Sequence, residues 1–130
     1  MKANNLMIGD YISVKPSGMP IKVAAVHHKK VAYHAVINKL EWVRESLLEP
    51  IPITPGILEK NGFEKIEEKY YRRFLEEKGY YESVRVYFDE EPNVAVRVLD
   101  GSEFNGRIKY VHELQQAMRL CNIKGKGIKL

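Results

Sequence analysis

The sequence predicts a small α+β protein, and three observations carry this prediction. Short β-branched and aromatic runs divided by turn residues fill the first 43 residues. A proline-rich segment follows and leads into a helix-capping motif. Alternating apolar residues then form a second group of strands, before a last segment that returns to a helical period. With 130 residues, 45% of them hydrophobic, the chain can bury one core or two small ones.

The N-terminal half is predicted to be a β unit spanning residues 1–49. Its expected strands cover residues 10–14, 21–26, 31–37 and 40–43. Three or four short strands with one apolar face usually close into a small barrel, so we expect an SH3-like β-barrel or meander. Trp42 is expected in the core of this unit or against the rest of the chain.

Residues 50–54 are predicted to be a stiff connector, because prolines favour extended backbone and remove amide donors. A short helix should follow over residues 55–61. Thr54 has the chemistry of an N-cap, Pro55 suits the first helical position, and Gly62 suits the left-handed residue after the last turn.

Residues 55–130 are predicted to form an α+β unit built on an antiparallel meander. Residues 64–78 fit both a helical and a strand period, and we favour a strand over 69–75 because a hairpin loop then leads into 83–88. Further strands are expected at 94–99 and 104–108. A helix over 110–122 should pack on this sheet, with Cys121 as a buried small hydrophobe.

Charge is distributed unevenly along the chain, whose formal net charge is +4. Lys and Arg outnumber Asp and Glu by 7 to 4 in residues 1–50 and by 6 to 2 in residues 101–130, whereas acidic residues dominate between them by 11 to 8. Any nucleic-acid binding is therefore expected to be weak. No stretch has the length of a membrane span, and a single cysteine agrees with a cytoplasmic location.

No catalytic, cofactor-binding or metal-ligating motif is found. His27 and His28 are adjacent, so they are poorly placed to bind one ion together. His112 and Cys121 lie nine residues apart on the predicted helix, about 13 Å along its axis, which is too far for a shared ion or a nucleophile–base pair. We therefore expect no catalytic site, no cofactor and no metal.

The candidate contact residues for nucleic acid or a partner protein are Tyr71, Arg72, Arg73, Lys124 and Lys126. Aromatic rings beside guanidinium groups are a common means of holding single-stranded nucleic acid. On a strand, Tyr71 and Arg73 would share one face, while Tyr70 and Arg72 would share the other. The alternative interpretation is ordinary packing, with one face in the core and arginine stems beside tyrosine rings on the other.

Three blocks of the chain resemble a family of small proteins of gut Bacteroidales, their phages and mobile elements. The blocks are the opening Leu6-Met7-Ile8-Gly9-Asp10, the central Pro50-Ile51-Pro52-Ile53-Thr54 with Ile57-Leu58-Glu59-Lys60-Asn61-Gly62-Phe63, and the late Tyr110-Val111-His112-Glu113-Leu114-Gln115. The family has no assigned activity, so the resemblance implies a phage-like or mobile-element context and no functional residue.

These observations favour a non-catalytic binding or adaptor protein that has a protein partner. Two alternatives remain open. One is a nucleic-acid-binding accessory protein, suggested by the basic ends and by residues 70–74. The other is an enzyme whose site assembles from residues scattered along the sequence.

Overall fold

The computed structural model describes residues 1–74, 83–88, 92–97, 103–120 and 127–130. The chain divides into two compact units, Met1–Ile51 and Pro52–Leu130. The described residues form small antiparallel sheets together with two α-helices, which confirms the predicted α+β class. No helix among them is long and apolar enough to cross a membrane.

The first unit contains two three-stranded sheets. The strands are β1 (Tyr11–Val14), β2 (Met19–Lys22), β3 (Ala25–His27), β4 (Lys30–Val36), β5 (Lys39–Arg44) and β6 (Leu48–Glu49). They pair in the orders β2–β1–β6 and β3–β4–β5. Two single turns of 3₁₀ helix lie at Ala3–Asn5 and Glu45–Leu47.

The strand predicted over residues 21–26 is divided in the structure. Val23 lies between β2 and β3, where its N–H donates to the Asp10 carbonyl (2.8 Å) and its carbonyl accepts from the Gly9 N–H (2.7 Å). Ala24 instead donates to the Ala32 carbonyl on β4 (2.8 Å). The chain therefore passes from one sheet to the other at these two residues.

The core of the first unit lies under both sheets. Ile12, Val23, Val31 and Leu48 are fully buried there, and burial of a side chain of this size stabilises the fold by about 1.5–3 kcal/mol. Val26, Tyr33 and Val43 extend the core from β3, β4 and β5. Because side chains alternate along a strand, the residues between these positions point outward.

Trp42 is one of the outward residues, so the prediction that it lies in the core is wrong. Its side chain is 46% exposed. Val43 takes the core position on β5, where it lies opposite the buried Val31 of β4.

The second unit begins with α1 (Pro55–Lys60), whose predicted capping is confirmed. The Thr54 hydroxyl accepts a hydrogen bond from the Ile57 N–H (3.2 Å), and Gly62 has a φ of 80° after the last turn. The Asn61 side chain donates to the Lys129 carbonyl (2.7 Å) and accepts from the Lys129 N–H (2.6 Å). These bonds fix residues 127–130 beside the end of α1.

A five-stranded antiparallel sheet follows, in the order β11–β10–β9–β8–β7. The ambiguous segment at 64–78 begins as a β-hairpin, because pairing with β8 overrides the helical propensity of residues 64–67. Residues 75–82 lie outside the described residues. The strands are β7 (Glu64–Glu67), β8 (Tyr70–Phe74), β9 (Ser83–Phe88), β10 (Pro92–Arg97) and β11 (Glu103–Arg107).

The last helix, α2 (Val111–Leu120), contacts β10 and confirms the predicted helical stripe as far as it is described. Val111, Leu114 and Met118 are buried on it. The Glu113 carboxylate accepts hydrogen bonds from the N–H groups of Lys109 and Tyr110, each at 3.1 Å, which satisfies donors at the start of the helix. Residues 121–126 lie outside the description, and Cys121 and the end predicted for this helix are among them.

Candidate functional site

The outward side of the β3–β4–β5 sheet carries basic and aromatic side chains together. His27, Lys30 and Arg44 stand directly opposite one another across the three strands. Trp42 and Ala32 form the next pair along β5 and β4. We call the surface formed by His27, Lys30, Ala32, Trp42 and Arg44 the tryptophan face.

Trp42 is held in place by its neighbours on this face. The Lys30 ammonium lies over the indole at 4.9 Å from the ring centroid, a distance at which cation–π attraction operates. The His27 ring meets the indole edge-on at 6.4 Å. The pairing partner of Trp42, Ala32, is completely inaccessible to solvent, while the indole remains 46% exposed. About half of the indole surface therefore remains accessible to solvent.

Carboxylates are absent from the tryptophan face, and residues 1–51 are all described. The only acidic residue on β3–β5 is Glu41, which lies opposite the core residue Tyr33 and so points to the other side of the sheet. Glu45 accepts a hydrogen bond from the Ala3 N–H (2.9 Å), and Glu49 pairs with Lys15 (3.4 Å).

The fourth acidic residue of this unit, Asp10, is fully buried and accepts a hydrogen bond from the Met7 N–H (2.9 Å). Three of the four acidic side chains thus serve contacts away from the tryptophan face. Like charges placed directly opposite each other, as Lys30 and Arg44 are, destabilise a sheet. An anionic ligand would relieve this repulsion.

A second aromatic and basic surface lies on one side of the five-stranded sheet. Tyr70 on β8 stacks on Tyr87 of β9, with ring centroids 4.5 Å apart and planes 11° from parallel. Arg72 lies directly opposite Arg85 in the same two strands. We call these four side chains the tyrosine face.

The side chains of the tyrosine face contact one another more extensively than those of the tryptophan face do. Burial raises the pKa of Tyr70, and a hydrogen bond to Tyr87 raises it further, against the opposing effect of the two arginines. Arg85 donates to the Ser83 hydroxyl (3.0 Å), and Glu64 of β7 lies opposite Arg72. Each tyrosine ring already has a stacking partner, and one carboxylate lies within the surface.

The predicted contact residues that the structure describes, Tyr71, Arg72 and Arg73, are divided between the two sides of β8. Tyr71 is 4% exposed and meets Phe88 edge-on at 5.7 Å, so it is not available to a ligand. Arg73 lies on the same side of β8, where its guanidinium is 5.3 Å from the Phe63 ring centroid and donates to the Asn61 carbonyl (3.2 Å). Arg72 points to the opposite side, onto the tyrosine face.

The remaining two predicted contacts, Lys124 and Lys126, fall in residues 121–126 and lie outside the described residues. Tyr70, Trp42 and Lys30 are further aromatic and basic residues with accessible side chains, and the prediction did not include them. Alternation along β8 already placed Tyr70 beside Arg72, and this was the signal that could have identified it.

The four histidines lie among the described residues, at three separate places in the fold. Within the described part of the chain, no group of three His, Cys, Asp or Glu side chains could hold a metal ion. His27 and His28 meet edge-on at 5.1 Å on the exposed β3–β4 hairpin, and His112 is buried and stacks on Tyr110 at 6.0 Å.

Comparison with known proteins assigns the chain to no family. No protein-family model, curated protein or solved structure matches the chain.

Proposed function

We propose that this chain is a non-catalytic binding protein whose ligand is single-stranded nucleic acid, held on the tryptophan face. The observation that supports this proposal is a half-exposed tryptophan beside a row of basic side chains, with no carboxylate on that side of the β3–β4–β5 sheet. Bases stack on exposed aromatic rings, while cations beside the ring contact phosphates. Stacking does not depend on base identity, so sequence preference should be low.

Phosphate contacts set the expected strength of binding. The tryptophan face offers Lys30 and Arg44 as cations at neutral pH, with His27 as a third basic group. Two to three phosphate contacts give a log–log salt slope of about −1.4 to −2.1 on a single strand. Binding should therefore be weak at physiological salt and clear at low salt, which suits an accessory protein.

The proposal is tested by reversing charges on β4 and β5. We expect Lys30→Glu and Arg44→Glu each to weaken binding of a fluorescein-labelled oligothymidylate, measured by fluorescence anisotropy at several salt concentrations. Each reversal should also make the salt slope shallower by about 0.7 to 1, because one phosphate contact is lost.

Lys39→Glu is the matched control for these two variants. It makes the same charge change on β5, but Lys39 has the strand parity of the core residue Val43 and does not point onto the tryptophan face. If all three variants weaken binding equally, only the net charge matters and the site is wrong. If none changes the binding, the proposed function is wrong.

A second surface for the same ligand is the tyrosine face. Arg85→Glu tests it without altering the first unit. Loss of binding in this variant, with normal binding by Lys30→Glu, would move the site to the five-stranded sheet.

The strand order of the first unit supports a finer proposal about its fold. A small, partly open barrel joins two short antiparallel sheets around one core by chain that passes directly from one sheet to the other. Here β2 and β3 follow each other through two residues, and Glu45–Leu47 precedes β6, which pairs with β1. We therefore propose an SH3-like barrel for this unit.

The biological setting follows from the resemblance described above. We propose a cytoplasmic accessory or adaptor role in a phage-like or mobile-element context, with a protein partner in addition to nucleic acid.

A further inference from the structure

The first unit has a groove whose lining residues are distinct from those of the tryptophan face. The groove has a volume of about 610 Å³ and runs between β2 and the second half of β4. Its lining is mostly apolar and includes Ile8, Met19, Pro20, Tyr33 and Ala35. Ile8 and Met19 are exposed there, at 69% and 43%.

The end of β4 has an open edge along this groove. The pairing of β4 with β3 ends at Ala32, which lies opposite Ala25, although β4 continues to Val36. β2 belongs to the other sheet, so within residues 1–51 no strand occupies the β3 side of residues 33–36. A strand edge of this kind is a template for an added strand.

The backbone N–H and carbonyl of His34 are the hydrogen-bonding groups at this open edge. Ala32 accepts a hydrogen bond from Ala24 on the β3 side (2.8 Å), and backbone groups alternate in direction along an antiparallel strand. His34, two residues further on, therefore directs its N–H and its carbonyl to that same open side. β2 across the groove is less suited to pairing, because Pro20 lacks an N–H.

The charges around the groove indicate the chemistry of its occupant. Lys22 brings a cationic side chain to the lining, and no carboxylate lies among the lining residues. Glu41 lies opposite Tyr33 on β5, the strand beyond β4. The Lys22 ammonium is near the Tyr11 ring, at 5.9 Å from its centroid. An occupant that carries carboxylates between apolar side chains matches both the charge and the apolar lining.

We propose that the groove binds an extended, acidic and apolar peptide segment of a partner protein by strand addition to β4. One peptide residue would form a pair of hydrogen bonds with the N–H and carbonyl of His34, as in other cases of β-augmentation. Apolar side chains of the peptide would contact Met19 and Tyr33, and a carboxylate would approach Lys22. This site is independent of the nucleic-acid site on the tryptophan face.

The experiment uses a short labelled peptide of alternating valine and glutamate, titrated into the full-length protein and followed by anisotropy. The same peptide with its central amide N-methylated cannot complete the hydrogen-bonded pair, and we expect it to bind about tenfold more weakly. On saturation with the unmodified peptide, hydrogen exchange at the His34 amide should slow.

A charge swap tests the role of Lys22. Lys22→Glu should weaken binding of the valine–glutamate peptide and strengthen binding of a valine–lysine peptide. Lys29→Glu, which makes the same charge change in the turn at the other end of β4, should leave both affinities unchanged.

Three results would overturn the proposal. One is equal affinity for the N-methylated and unmodified peptides, and another is the absence of any binding at millimolar peptide. The third is a slowly exchanging His34 amide that appears with rising protein concentration and without peptide, which would make a second copy of this chain the occupant.

Discussion

Replacement of Trp42 by alanine removes the stacking surface from the tryptophan face and leaves its cations in place. Stacking of one base on an aromatic side chain is worth about 1–3 kcal/mol. Since about 1.4 kcal/mol corresponds to a factor of ten, Trp42→Ala should weaken oligothymidylate binding by about 5- to 140-fold. The salt slope should stay near the wild-type value, because Lys30 and Arg44 remain.

Trp42→Phe is the matched variant for this measurement, because it keeps an aromatic ring at the same position of β5. Its affinity should lie closer to that of the wild type than to that of Trp42→Ala. Thermal melts by circular dichroism control for folding, since the indole lies beside the inaccessible Ala32. Wild-type affinity in a folded Trp42→Ala protein would refute the stacking argument.

Three further predictions concern the second unit and the metal content. Thr54→Ala should lower the free energy of unfolding by about 1 kcal/mol in urea titrations, because the Ile57 N–H loses its acceptor, whereas Thr54→Ser should be nearly neutral. Tyr87→Phe should lower the pKa of Tyr70 in a ¹³C-tyrosine NMR titration, and an unchanged pKa would contradict the hydrogen bond. Protein purified without an affinity tag should contain no stoichiometric zinc by elemental analysis, and one zinc per chain would contradict this expectation.

Because the pKa of Tyr70 is raised, the free energy of unfolding should fall at high pH. The unfolded tyrosine loses its proton near its ordinary value of 10.0, while the folded one retains it to higher pH. The stabilisation from this group is therefore complete below pH 10.0 and is lost as the pH rises through the folded pKa.

Elements with local signals were predictable from the sequence. α1 is specified by Thr54, Pro55 and Gly62, which act through hydrogen bonds and backbone angles within a few residues. The pairing of β9 with β10 follows from the alternation of apolar residues in both segments. β7 was not predicted, because its Glu and Lys residues favour helix and only pairing with β8 makes it a strand.

Which face of a strand packs into the core was not predictable, and this accounts for the positions of Tyr71 and Trp42. In the sequence, each face of the predicted strand over 69–75 offers one tyrosine, one arginine and one large apolar residue, Phe74 or Leu75, so composition gives no preference. Tyr71 is the buried tyrosine because it lies opposite Val86, which is itself fully buried. On β5 the larger ring of Trp42 suggested burial, yet the register places Val43 over Val31.

The emission of Trp42 gives the most direct test of the central claim, because it is the only tryptophan in the chain. Oligothymidylate should quench and shift this emission in proportion to the fraction bound, as measured in parallel by anisotropy at low salt. An abasic oligonucleotide of the same length, which offers phosphates without bases, should bind with little quenching. If thymidylate and abasic strands bind and leave the emission equally unchanged, bases do not stack on Trp42 and the account is contradicted.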